Sequence, residues 1–100
     1  MDGSPFAVSV GGLGLPNPLL LASGIADETG LSMASAVLNG AGGVVTKSLS
    51  LRPRDGHVNP VVVQLPFGLL NAMGLPNPGI EDYADEVHDY KVRTGGEHPI

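Results

Sequence analysis

GAGGVVTKSLSLRPRDG, residues 40–56, sets Val44-Val45 between paired glycines and the polar trio Thr46, Lys47 and Ser48. Gly42-Gly43 release the two valines as a short buried strand, and the run ends on a lysine instead of continuing as a solvated helix face. Upstream, Leu31, Ala34, Leu38 and Ala41 recur at helical spacing, with Asp27 or Thr29 as N-cap and Asn39-Gly40 as the stop. Before them, Leu19-Leu20-Leu21-Ala22 is a continuous apolar run between Pro18 and Ser23-Gly24, the pattern of a strand buried on both faces. Strand, helix, strand is βαβ grammar. It implies an α/β fold with a parallel sheet or barrel.

Working outward, Phe6 to Val10 reads as a short strand, and Gly11-Gly12 and Leu15-Pro16-Asn17-Pro18 supply turn chemistry. Beyond the Arg52-Pro53-Arg54-Asp55-Gly56 turn, Val61-Val62-Val63 reads as an accessory strand. Pro66-Phe67-Gly68 then leads to Leu69-Leu70-Asn71-Ala72-Met73-Gly74. A last helix is expected from about Gly79 to Val92, with Ile80, Tyr83, Ala84 and Val87 on one face. Glu81 and Asp82 near its start and Lys91 and Arg93 near its end suit the helix dipole. Gly-Leu-Pro-Asn-Pro occurs at 14–18 and again at 74–78, which shared turn chemistry explains better than a structural repeat. Glu97-His98-Pro99-Ile100 resembles the entry to another strand. Two βα units cannot close a barrel, so residues 1–100 are expected to form one incomplete portion of a larger domain.

Composition narrows the function. A net charge of −5 argues against a nucleic-acid surface, and the absence of cysteine removes disulfides, thiolate metal sites and a Cys nucleophile from these residues. His57, His88 and His98 lack metal-ligand spacing. MDGSPFAVSV has neither a basic n-region nor an apolar h-region, and no apolar run approaches a membrane span. A cytoplasmic protein with no nucleic-acid or membrane partner is the expectation. No dinucleotide fingerprint is present, because Asn17 stands where the third glycine after Gly12 and Gly14 belongs.

In parallel α/β folds, ligands gather at the carboxyl ends of strands. Three expected strand ends carry small or polar residues: Ala22-Ser23-Gly24, Thr46-Lys47-Ser48 and Asn71-Ala72-Met73-Gly74. Lysine at such a mouth can hold a carboxylate or a developing anion, and Asn71 offers both a donor and an acceptor. On spacing alone each has an ordinary alternative. Lys47 could be solvated, Ser23-Gly24 a plain turn, Asn71 a turn cap, and Arg52 and Arg54 surface charges or partners for Asp55.

Taken in order, NPLLLASG, GAGGVVTKSLSLRPRDG and LLNAMGLPNPG resemble the N-terminal third of class 1 dihydroorotate dehydrogenases, from about Asn17 to Gly79. The resemblance implies a TIM (β/α)8 barrel with a leading hairpin over residues 6–21, and FMN across the carboxyl ends of its strands. It implies oxidation of dihydroorotate to orotate in pyrimidine biosynthesis. Ala22, Ser23 and Gly24 would then line the flavin, and Lys47 would touch both flavin and substrate, with Ser48 beside it. Asn71, Ala72, Met73, Gly74 and Leu75 would form the loop that holds orotate. A strand-end lysine suits that chemistry, because hydride transfer to the flavin leaves negative charge on the ring. The catalytic base, a Cys or Ser on a later loop, would lie beyond residue 100, so this stretch alone would be inactive. A homodimer is implied, and the LRPRDG turn leans toward the branch that pairs with an iron–sulfur/FAD subunit and passes electrons to NAD. Two other readings stay open: a flavin barrel reductase of the dihydropyrimidine dehydrogenase type, and a non-catalytic small α/β module.

Overall fold

The computed structural model describes residues 4–100. Two compact units divide the chain. One runs to Lys47 and resumes at Ala84–Ile100, and the other is Ser48–Tyr83.

The first unit opens with a hairpin, β1 (Val8–Val10) against β2 (Leu13–Leu15), antiparallel with Val8 opposite Leu15. Gly11 and Gly12 make its two-residue turn at φ of 56° and 85°. Two successive left-handed residues match the twist of a tight hairpin, and glycine adopts them without a Cβ penalty. Leu15 ends β2 inside the core, 2% exposed. The hairpin is therefore shorter than residues 6–21, because Leu20 and Leu21 belong to a different sheet.

That sheet is parallel: β3 (Leu20–Leu21) lies beside β4 (Gly43–Val44), with α1 (Gly30–Leu38) as the crossover. It is the βαβ unit that the sequence dictates. Its burial differs from expectation. Val44 is buried and Leu21 half-buried, whereas Leu20 and Val45, one residue along each strand, are exposed. Side chains alternate across a strand, and α1 packs against β4, so burial on both faces is replaced by burial on one. On the far edge of β4, the Val44 N–H donates to the Pro99 carbonyl at 3.1 Å. The strand expected at 97–100 is represented by this bond without forming a regular strand.

Thr29 is the N-cap of α1, its Oγ1 accepting from the Ser32 N–H at 3.1 Å, while Asn39 is the C-cap. Asp27, the other cap candidate, instead accepts from the Gly24 N–H at 2.7 Å. The buried stripe of α1 is Gly30, Met33, Ala34 and Val37. Leu31 and Leu38 face outward, at 58% and 63% exposure, so the expected face shares only Ala34 with the real one. Gly30 explains the shift. A Cβ there would stand 2.6 Å from the Glu86 carbonyl, and the Gly30 N–H donates to Glu86 Oε1 at 3.0 Å. Close approach of the second helix at a glycine turns the helix about its axis relative to the leucine pattern.

That second helix, α2 (Ile80–Thr94), buries Tyr83, Tyr90 and Thr94, with Val87 half-buried between them. Ile80 and Ala84, expected on the same face, are exposed, because the stripe at i, i+4, i+7 and i+11 starts from Tyr83. The Tyr90 hydroxyl donates to the Pro99 carbonyl at 3.2 Å, and burial pushes its phenol above the ordinary tyrosine pKa. No described helix is long and apolar enough to cross a membrane.

In the second unit, β5 (Val62–Leu65) and β6 (Gly68–Asn71) form an antiparallel hairpin closed at Leu65 opposite Gly68. The accessory strand is therefore present but displaced. The segment ending at Asn71, expected as a strand end within an irregular stretch, is the return strand of a hairpin. The two-residue Pro66-Phe67 connection is the cause, since parallel neighbours need a crossover of a dozen residues or more.

Candidate active site

In the first unit, parallel pairing brings the carboxyl ends of β3 and β4 out on the same side of the sheet. Ala22, Ser23 and Gly24 follow β3 and are all exposed. Gly24 adopts φ of 82° and Ala26 of 54°, and the Asp27 carboxylate fixes this bend through the Gly24 N–H. A Cβ added at Gly24 would meet nothing within 4 Å, so the bend presents an open, small-residue surface.

Lys47 follows β4. Its side chain is only 13% exposed, and Nζ stands 3.7 Å from Glu28 Oε1, whose own side chain is 81% exposed. A solvated lysine would show far more surface, so the aliphatic stem is packed. The contact with Glu28 is too long for a hydrogen bond, and such a pair contributes about 0–1 kcal/mol. Glu28 thus leaves the ammonium able to take a stronger anionic partner. Small exposed residues beside a fixed cation suit a flat ring that carries or develops negative charge, so the residues present fit a flavin.

The second unit holds Ser48, exposed, and the segment 71–75. Asn71 ends β6, and the Ala72 N–H donates to the Val61 carbonyl at 2.8 Å. Asn71, Ala72, Met73 and Leu75 are exposed. Gly74 and Leu75 are both left-handed, at φ of 82° and 53°. For leucine that conformation is strained by roughly 1–2 kcal/mol. It persists only where neighbours hold it.

Those neighbours come from the Arg52–Gly56 turn and its surroundings. The His57 N–H donates to the Met73 carbonyl at 2.9 Å, and Arg54 Nε donates to the Gly74 carbonyl at 2.7 Å. Gly56 and Gly74 interlock: a Cβ on Gly56 would lie 2.5 Å from the Met73 oxygen, and one on Gly74 would lie 2.7 Å from the His57 nitrogen. Arg54 and Asn77 exchange backbone hydrogen bonds at 2.8 and 2.9 Å. Asn77, buried at 8% exposure, accepts at Oδ1 from the Ser50 and Gly79 N–H groups at 3.2 and 2.9 Å. Its Nδ2 donates to Ser50 Oγ at 3.0 Å and to the Leu75 carbonyl at 3.1 Å.

Ala22-Ser23-Gly24 and Thr46-Lys47-Ser48 follow parallel strands as the sequence predicts and Asn71 ends a hairpin strand, but their supports carry no sequence signal. Arg54 is exposed as a surface charge would be, yet its Nε donates to the Gly74 carbonyl. Glu28 carried no motif. Asn77 was visible only as the asparagine of the second Gly-Leu-Pro-Asn-Pro.

A family model for dihydroorotate dehydrogenases matches residues 6–98. The chain belongs to the dihydroorotate dehydrogenase family. It is 51% identical over 84 residues to the catalytic subunit of dihydroorotate dehydrogenase B (NAD(+)) from Pyrococcus abyssi, covering 84% of this chain and 28% of that relative. The corresponding subunit of Thermococcus kodakarensis is 48% identical over 90 residues, covering 90% and 30%. That of Methanocaldococcus jannaschii is 50% identical over 82 residues, covering 82% and 26%. The chain thus spans less than a third of the length of these dihydroorotate dehydrogenase relatives.

Proposed function

We propose that the complete protein oxidises dihydroorotate to orotate, and that residues 1–100 are the N-terminal portion of one flavin-binding TIM (β/α)8 barrel. The observation that carries this reading is Lys47, a packed lysine at the carboxyl end of a parallel strand, beside an open bend of small residues. Membership of the family supports it. Ala22, Ser23, Gly24, Lys47 and Ser48 would hold FMN, which when bound supplies the acceptor for hydride. Lys47 stabilises negative charge next to it without reorganising, because its stem is already fixed. Asn71 to Leu75 would hold orotate, with Asn71 presenting a donor and an acceptor to the ring edge and the loop backbone fixed by Arg54 and His57. The base that removes the substrate's proton is assigned to a Cys or Ser in the part of the protein that follows.

The relatives named above are catalytic subunits of an NAD(+)-linked enzyme, which supports a partner subunit carrying an iron–sulfur centre and FAD, joined to a homodimer of this chain in the cytoplasm. Anaerobic addition of dihydroorotate to the full-length, FMN-loaded protein tests the reading. Bleaching of the flavin absorbance is expected, and Lys47→Ala should slow it by about 100-fold or more and weaken FMN binding. A natural protein whose flavin stays oxidised under excess dihydroorotate would sink the proposal. Unchanged bleaching in the variant would remove Lys47 from it.

A further inference from the structure

We propose that Asn77 is a positioning residue, whose side-chain N–H holds Leu75 left-handed and thereby sets the shape of the 71–75 loop. The inference rests on reading that loop as the orotate-binding segment. The direction of the Asn77 amide is fixed by chemistry: two backbone N–H groups, of Ser50 and Gly79, point at one atom, which must be the oxygen. The nitrogen therefore faces Ser50 Oγ and the Leu75 carbonyl. The two ends of this buried amide do different things. Oδ1 shapes the entry to α2, where the Gly79 N–H it accepts stands directly before Ile80. Nδ2 reaches back to the residue with the least favoured backbone in the loop, Leu75 at φ of 53°. Arg54 Nε on the Gly74 carbonyl and the His57 N–H on the Met73 carbonyl tie the preceding two residues, so Asn77 completes a series of three successive carbonyls, each held by a donor. With its carbonyls turned to these supports, the segment is held before any ligand arrives, which lowers the ordering cost of binding.

Because the two ends of the amide are distinct, one substitution separates them. Asn77→Asp keeps both acceptor contacts and replaces the donor to Leu75 with an oxygen facing a carbonyl oxygen. Asn77→Ser makes the same cut without adding charge, since its hydroxyl can still accept from the Gly79 N–H. Two readouts on the full-length, FMN-loaded protein decide. Amide hydrogen exchange should quicken at Ala72 and His57, whose bonds bracket the loop, while α2 keeps its protection and FMN content is unchanged. Orotate, titrated by its perturbation of the flavin spectrum, should bind about ten-fold more weakly. Natural exchange and natural orotate affinity in both variants would overturn the inference. So would loss of folding or of FMN in both, since Asn77 would then serve the α2 entry alone. If the natural protein does not bind orotate, the function reading fails, and the exchange at Ala72 and His57 still decides whether Asn77 holds the loop.

Discussion

The two copies of Gly-Leu-Pro-Asn-Pro share a turn and little else. At Asn17, Oδ1 accepts from the Leu19 N–H at 2.9 Å, and at Asn77, Oδ1 accepts from the Gly79 N–H at 2.9 Å. In each, an asparagine folds its side chain over the following proline to the amide two residues on, the local chemistry expected of Asn-Pro. The Gly-Leu halves diverge. Gly14-Leu15 is strand, with Leu15 in the core, whereas Gly74-Leu75 is left-handed and Leu75 is 66% exposed. Identical residues thus take opposite backbones. The half that closes its own hydrogen bonds locally is fixed by sequence, and the other half follows its partners: Val8 across the first hairpin, Arg54 and Asn77 in the second unit.

Substitutions made in pairs test that division, as urea unfolding of the full-length protein. Leu15→Ala should be the most damaging, at about 2–5 kcal/mol, because it opens a cavity at a residue only 2% exposed. Its counterpart Leu75→Ala should cost far less. Next, Asn77→Ala should lose about 2–3 kcal/mol by stranding the buried Gly79 N–H and several part-buried partners. Asn17→Ala should lose about 1 kcal/mol, since the half-buried Asn17 makes two bonds, to the Leu19 N–H and the Gly40 carbonyl. Equal losses at 17 and 77 would break the comparison. Alkali should act on the first unit, where Tyr90 lies. A phenol raised on folding stabilises fully below the unfolded value of about 10, and that stability is lost as pH climbs through the folded value. Urea midpoints of the natural protein should therefore fall more steeply above about pH 10 than those of Tyr90→Phe.

How much of this was legible follows the same line. The βαβ order, Thr29 as a cap and the Asn39 stop were readable because each depends on residues close in sequence. The strand-end residues were readable for a second reason: Lys47 breaks an apolar run, and a charge in that position asks for an explanation. What escaped is non-local. The outward turn of Leu31 and Leu38 depends on Gly30 meeting Glu86, 56 residues away, and no periodicity within α1 contains that contact. Arg54 reads as one more surface arginine until the Gly74 carbonyl, 20 residues on, is placed beside it. Asn71 has the same polar tail as the other two strand ends, and the hairpin that makes it a return strand is hidden in Pro66-Phe67.

Leu75→Gly should give the smallest change in stability and the sharpest test of the divergent half. Glycine relieves the left-handed strain, roughly 1–2 kcal/mol, while the looser unfolded chain offsets about 0.4–1 kcal/mol of it. Little burial is lost, because the side chain is already mostly in solvent. The unfolding free energy should therefore stay within about 1 kcal/mol of the natural protein's. Orotate binding should weaken even so, since a glycine lets the loop leave the conformation that Asn77 selects. Adding Asn77→Asp to Leu75→Gly should then weaken orotate binding by less than it does beside leucine, because the strain it was holding is gone. Fully additive losses would mean that Asn77 and Leu75 act apart, and that the second Gly-Leu takes its shape from Arg54 and the Gly56–Gly74 contact alone.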